Sequence, residues 1–408
     1  MTTRGPARRD PLEVAIEVAL QPGRFIAYRA VWDFVSSLEE VAGQFKPLVR
    51  TDTKRAVGLY AAFLAGCYEK AEELDDSSGN FSTLIATLYC GWIRARQAAS
   101  ADADETARLL LGRMENDPFG FTSTLERDAV KAMSKDGLAA LERQVKVRFE
   151  AKDAVEPASN HLSRGEAAHL HRRWGDILRA IYTRQRDVAA YVALCEQTQL
   201  SAQDCLVVAT MLKMRRKPQE ALAWVDRGLA LEKKQPHGSM AGHELATLKR
   251  ELLTKLGRHG DALEDAWTAF LENPSTFSYE DLMRFVPKTE RAAWHAKAMV
   301  AAERADLGSL IELWLETREV ERLARRLHTA TDSEIEALSH YRTEPAASRL
   351  AKSHPDVAAK VYRALGTRIL NAKKSKYYDA ALSHFENALG SAERRGASSH
   401  ASPLLRGR

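Results

Sequence analysis

The spacing of apolar residues constrains this chain more than any other feature. Most apolar runs recur at three- and four-residue intervals, as Leu245, Leu248, Leu252, Leu253 and Leu256 do. Those offsets place all five on one face of an α-helix, whereas a half-buried strand needs strict alternation. No convincing alternating β-branched run closed by an Asn-Gly or Asp-Gly turn occurs, and the Asp136-Gly137 pair sits between helical patterns. Prolines fall mostly between periodic segments or in their first turn, as Pro218, Pro287 and Pro355 do. A missing N–H is harmless there. The expected fold is all-α, with about twenty helices separated by short breaks.

A repeat lies within the helical pattern. Residues 218–233 (PQEALAWVDRGLALEK), 257–274 (GRHGDALEDAWTAFLENP) and 377–390 (YYDAALSHFENALG) align on their small residues. Ala221, Ala262 and Ala381 share one position; Val225, Ala266 and Phe385 stand four residues on, and Gly228, Ala269 and Ala388 three further. Small side chains at that spacing let a second helix approach closely, Gly257 supplies a turn, and Pro274 ends the unit. This resembles the tetratricopeptide helix–turn–helix repeat, so the predicted architecture is a tetratricopeptide-like solenoid preceded by an N-terminal helical domain. The first two copies are 41 residues apart, which makes 233–242 an insertion between helices.

Longer stretches carry a second resemblance: EKAEELDDSSGNF (69–81), ETARLLLGRMENDPF (105–119), the two central repeat segments, and SHPDVAAKVYRAL (353–365). They are similar to a bacterial helical family of unassigned function that also occurs as the C-terminal part of SWIM zinc-finger proteins. The zinc module needs C-x-C followed by C-x-H, and neither pattern is present. The resemblance therefore implies neither zinc nor a DNA role.

Composition suggests boundaries. Residues 1–10 form a basic tail, 11–153 the N-terminal helical domain, 163–393 the repeats and 394–408 a flexible Ser/Gly/Arg tail, with a linker at 151–165. Asn80 and Asp104 are the expected N-caps of their helices. The longest stretch without Asp, Glu, Lys or Arg covers the 17 residues 77–93 and contains Ser, Gly, Asn and Thr. A spanning helix needs about 20 mostly apolar residues, so no membrane segment is expected. With Glu13 and Glu17 breaking the first apolar run, and four cysteines lacking a C-x-x-C pair, the expected location is the cytoplasm.

Chemical motifs are sparse. Asp75 to Asn80 has the oxygens of a calcium loop, but the closing position twelve falls on Ala86 or Thr87, so a turn through Gly79 fits better. His169 and His171 are two apart and point away from each other on a helix, His161 adds no i, i+4 partner, and His237, His243 and His259 surround the insertion. No G-x-S-x-G, Walker or dinucleotide motif is present. Cys67 and Cys90 stand in apolar runs and read as buried thiols. The seven tryptophans read as core. No catalytic residue, cofactor or metal ligand is assigned, and the chain is expected not to be an enzyme.

Charge is more informative by segment than in total. The net charge is +5, but residues 71–160 hold 11 Lys/Arg against 16 Asp/Glu, a net of −5, and residues 161–260 hold 17 against 10, a net of +7. Within the basic part Arg172, Arg173, Arg179, Arg184, Arg186, Lys213, Arg215, Arg216 and Lys217 are dense. Such a face attracts an acidic protein surface or nucleic-acid phosphates. The expected function is a protein-interaction scaffold that uses a groove near 205–285. Arg172, Arg173, Arg179, Arg184, Arg215, Arg216 and Lys217 are the candidate partner-binding residues and an acidic protein or peptide the expected partner. The alternative is a nucleic-acid-associated accessory protein using the basic surface at 172–217.

Overall fold

The structure is a computed structural model that describes residues 9–21, 23–151, 164–234, 239–373 and 375–401. The described residues are all-α apart from one parallel bridge between Ile26 and Leu74. They form two compact units, divided after Gly242. Residues 152–163 of the expected linker, 1–8 of the first expected tail and 402–408 of the second lie outside the described residues.

In the first unit the order is α1 (Pro11–Leu20), α2 (Tyr28–Gly43), α3 (Leu48–Thr51), α4 (Thr53–Lys70), α5 (Asn80–Ala98), α6 (Ala103–Glu115), α7 (Leu125–Ala132), α8 (Lys135–Glu150), α9 (Arg164–Gln185), α10 (Val188–Gln197), α11 (Ala202–Met214) and α12 (Pro218–Glu232). Helix α13 (Met240–Lys255) crosses the division. The second unit continues with α14 (His259–Glu272), α15 (Thr276–Phe285), α16 (Arg291–Ala302), α17 (Leu307–Glu316), α18 (Val320–Thr329), α19 (Asp332–Ala337), α20 (His340–Leu350), α21 (Pro355–Asn371) and α22 (Tyr378–Ala401). Helix α22 thus runs into the stretch that composition marks as a tail.

Helix starts follow side-chain chemistry. Asp10 accepts the Leu12 N–H at 2.9 Å, Asp187 the Ala190 N–H at 3.0 Å, and Ser201 with Asp204 forms a reciprocal capping box on α11. Two expected caps are corrected. Asp102, not Asp104, caps α6 by accepting the Glu105 N–H at 2.7 Å; Asp104 faces Arg143 from inside the first turn at 2.8 Å. Ahead of α5, Asp76 rather than Asn80 accepts the N–H groups of Phe81 and Ser82, both at 2.9 Å. Gly79 makes the turn between them with φ of +72°.

The small-residue register appears in the packing. Ala221, Ala262 and Ala381 are all buried, as are Val225 and Ala266 one turn on. Phe385 lies against Gly366 so closely that a Cβ there would meet its ring at 2.7 Å. One tryptophan departs from the core expectation: Trp32 is 66% exposed, on an α2 face that also carries the exposed Tyr28. Trp92, Trp174 and Trp314 are buried and the other three half-buried. All four cysteines are free and buried, and burial pushes the Cys67 and Cys195 thiols up to about 12.

Candidate partner-binding surface

The basic residues singled out by sequence separate into two groups, according to whether they stand in the body of α9 or at the turns that follow. Each turn arises the same way. Helix α9 ends with Arg186 in the left-handed region (φ 57°), its N–H returning to Thr183 O and the next N–H, of Asp187, to Tyr182 O at 2.9 Å. Helix α11 ends identically: Arg216 has φ 59°, and the Lys217 N–H reaches Leu212 O at 3.0 Å. These paired returns satisfy the last carbonyls of each helix and reverse the chain within three residues. Asp187 then caps α10 and Pro218 opens α12.

The two turns meet. The Arg215 guanidinium donates through Nη2 to the Arg186 carbonyl at 2.5 Å, across 29 residues of sequence. Arg184, Arg186, Arg215, Arg216 and Lys217, all exposed, therefore belong to two adjoining turns and form one basic ridge. Lys217 pairs with Glu220 at 2.9 Å, an exposed pair of small energetic worth. No carboxylate pairs with Arg184, Arg186 or Arg216 among the described residues. Arg172 is also exposed, but it lies twelve residues before Arg184 on α9, about 18 Å along the axis.

Arg173 and Arg179 were expected on this surface, and the structure turns both to internal bonds, Arg173 buried and Arg179 half-buried. Arg173 is 8% exposed. It donates to Glu126 at 2.9 Å, to the Met114 carbonyl at 2.8 Å, and to both the carbonyl and the hydroxyl of Thr122. Met114 lies in the last turn of α6, so this guanidinium satisfies a helix-end carbonyl that no backbone N–H reaches. Burial pushes the Glu126 carboxyl up despite the opposing arginine. Arg179 donates to Asp204 at 3.0 Å and to Thr198 at 2.6 Å. Asp204 also accepts from the Tyr191 hydroxyl at 2.9 Å and from Ser201 O–H and N–H. Burial raises the Asp204 carboxyl, but the Ser201 bonds and Arg179 outweigh it and hold the group below its ordinary value. This knot fastens α9, α10 and α11 together.

The expected groove at 205–285 spans the division between the units, and the basic candidates all lie in the first. In the second unit, sequence reasoning missed a hydrogen-bond chain. The Tyr279 hydroxyl lies 2.7 Å from His295 Nδ1, His295 Nε2 lies 2.9 Å from Glu319, and Arg322 holds the other Glu319 oxygen at 3.2 Å. The imidazole thus bridges the phenol and the carboxylate through its two ring nitrogens. Beside it the Lys297 ammonium sits 4.2 Å from the ring centres of both Trp267 and Trp294. Arg250, 3% exposed, bridges Asp265 and Asp281, each at 2.8 Å. The residues involved are spread from α13 to the start of α18, and no local spacing announces the arrangement.

Among the remaining histidine candidates, His169 and His259 are exposed, and two others have packing contacts. His171 stacks on Phe149 with ring centres 4.4 Å apart, and His243 lies 4.7 Å from Phe277. His161 and His237 lie outside the described residues. Among the described residues no group of three His, Cys, Asp or Glu has metal-binding geometry, and no helix is long and apolar enough to cross a membrane.

A family model described as "Family of unknown function (DUF6880)" matches residues 18–402. No curated protein matches the chain. Among solved structures the chain is similar to one described as "Circular tandem repeat protein with novel repeat topology and enhanced subunit contact surfaces", with 11% identity, a TM-score of 0.21, and coverage of 94% of this chain and 97% of that chain.

Proposed function

The chain belongs to that family of unknown function, and from the placement of its exposed cations we propose that it is a non-enzymatic interaction protein. It acts in the cytoplasm and binds an acidic segment of a partner protein along the ridge formed by the α9–α10 and α11–α12 turns. The observation that carries this reading is the contact from Arg215 to the Arg186 carbonyl, which gathers cations from two turns while Arg184, Arg186 and Arg216 lack carboxylate partners among the described residues. Guanidinium groups suit this task because their planar fork matches a carboxylate. The resemblance to the helical part of SWIM zinc-finger proteins is proposed on the quoted stretches alone and brings neither zinc nor a DNA role.

Nucleic acid is the competing partner class. With Arg173 and Arg179 engaged internally, the surface at 172–217 offers phosphates fewer cations than the sequence count suggests. A salt-series titration of the full chain with an Asp/Glu-rich peptide, single-stranded DNA or RNA, and duplex decides between them. The reading expects saturable peptide binding and only weak nucleic-acid binding at low salt. Preferential nucleic-acid binding with a steep logarithmic salt slope would replace it.

A further inference from the structure

In the first unit, α1 and α4 leave an open trough of about 700 Å³ between them. Its floor is made of small residues, Ala62, Ala65 and Gly66 from one face of α4, with the buried Ile16 and Leu20 of α1 beneath them. Leu20 packs so tightly on Gly66 that a Cβ there would meet its methyl group at 2.5 Å, which fixes the wall between the helices. The rim is acidic, with Glu13 and Glu17 on α1 and Glu69 and Glu73 beyond the α4 floor. Two cations answer these four carboxylates: Arg9 pairs with Glu17 at 3.2 Å, and the buried Lys70 pairs with Glu73. Glu13 and Glu69 make no close ion pair among the described residues; Arg55, bonded to Asp10, acts on Glu13 only at longer range, so the rim stays net negative.

Each contributing helix presents its groove residues at i, i+3, i+4 and i+7: Glu13, Ile16, Glu17 and Leu20 on α1; Ala62, Ala65, Gly66 and Glu69 on α4. The trough therefore runs along two helical turns, a shape that accepts a third helix rather than a compact ligand. Small floor residues allow a close backbone approach, as in other tight helix pairs. We infer that this trough is a docking groove for a basic amphipathic helix of a partner protein, a site separate from the basic turn ridge and of opposite charge. Apolar side chains of the incoming helix cover the exposed Ala62 and Ala65, above the buried Ile16 and Leu20. Its Lys and Arg stems lie over the groove edge and carry their charged heads to Glu13 and Glu69.

The test is a fluorescence-anisotropy titration of the full chain with a labelled Leu/Lys/Arg amphipathic peptide of about four helical turns. Expected is saturable binding that weakens at least about tenfold with Glu13→Lys/Glu69→Lys, and by a similar factor with Ala62→Leu/Ala65→Leu. Both alanines are exposed, so filling the floor leaves the fold intact, and a thermal melt verifies this. Arg215→Glu/Arg216→Glu leaves this binding in place, which separates the groove from the ridge. The inference is overturned by absent binding, or by a loss confined to the charge-reversal variant, which signals ionic attraction without docking. A sequence-scrambled peptide of equal charge binding equally well, or spermine displacing the peptide at equal concentration, also overturns it.

Discussion

Helix α9 and the turns that follow it draw on the same basic stretch of sequence and use it in opposite ways. In the body of the helix, Arg173 and Arg179 act as internal fasteners, one closing the end of α6 and the other anchoring Asp204. At the turns, Arg184, Arg186, Arg215 and Arg216 are exposed, and a bond from the Arg215 guanidinium to the Arg186 carbonyl joins the turns. Local density of Arg and Lys therefore does not measure surface charge. What decides is whether a neighbouring helix covers the position and whether an unsatisfied carbonyl or carboxylate waits there. The second unit follows the same rule, where Lys360 donates to the His328 carbonyl at 2.9 Å and so closes the end of α18.

This contrast can be broken most forcefully at Arg173. Arg173→Ala leaves Glu126, the Met114 carbonyl and Thr122 buried without their partner, and should lower the unfolding free energy by about 3–5 kcal/mol. Urea denaturation reads this directly; a loss within experimental error would mean that α9 is not held by this contact. Asp204→Asn should cost less, about 1–3 kcal/mol, because one hub of the α9–α11 knot loses its charge while keeping its shape. Asp204 is held below its ordinary value when folded, so its contribution is complete above the unfolded value of about 3.9. That contribution fades as pH falls through the lower folded value. The variant should accordingly show a flatter loss of stability in acid than the natural chain, measured as midpoint against pH.

Smaller effects are expected at the turns. Arg216→Gly removes a side chain from a left-handed position and should raise stability by about 0.5–1 kcal/mol. Gly257→Ala, at φ 77° with open space around it, should lower stability by a comparable amount. Arg216→Gly also removes a ridge cation, so stability and acidic-peptide affinity should move in opposite directions. If they move together, the distinction between fastening and exposed arginines fails. Arg184→Ala is expected to change stability by less than about 0.5 kcal/mol, and a larger thermal shift would place it among the fasteners.

Much of the fold was legible because it is local. The leucine spacing at 245–256 and the Ala221, Ala262 and Ala381 register depend on helical period, and the corresponding residues are buried, save the half-buried Leu256 at the end of the run. Arg173 was readable too: it stands four and eight residues before Ile177 and Ile181, on the same inward stripe, so its burial follows from the period. Charge counting obscured that. The caps slipped because two capping side chains stand close together at each start, Asp102 and Asp104 at α6 and Asp76 and Asn80 at α5, and backbone geometry chooses between them. Trp32 escaped because an exposed ring and a core ring have the same sequence spacing. The α1–α4 trough joins residues about fifty positions apart, and the Tyr279–His295–Glu319 chain draws on α15, α16 and the residue ahead of α18. Neither leaves a local signature, because tertiary packing creates both.

The central claim is that cations at the α9–α10 and α11–α12 turns bind an acidic partner segment while those within α9 hold the fold. It is tested most directly by titrating one Asp/Glu-rich peptide against the full chain and against Arg184→Ala/Arg216→Ala. The expected result is an affinity at least about tenfold weaker for the variant, with stability not reduced. Unchanged affinity, with the peptide still bound saturably, would contradict the account.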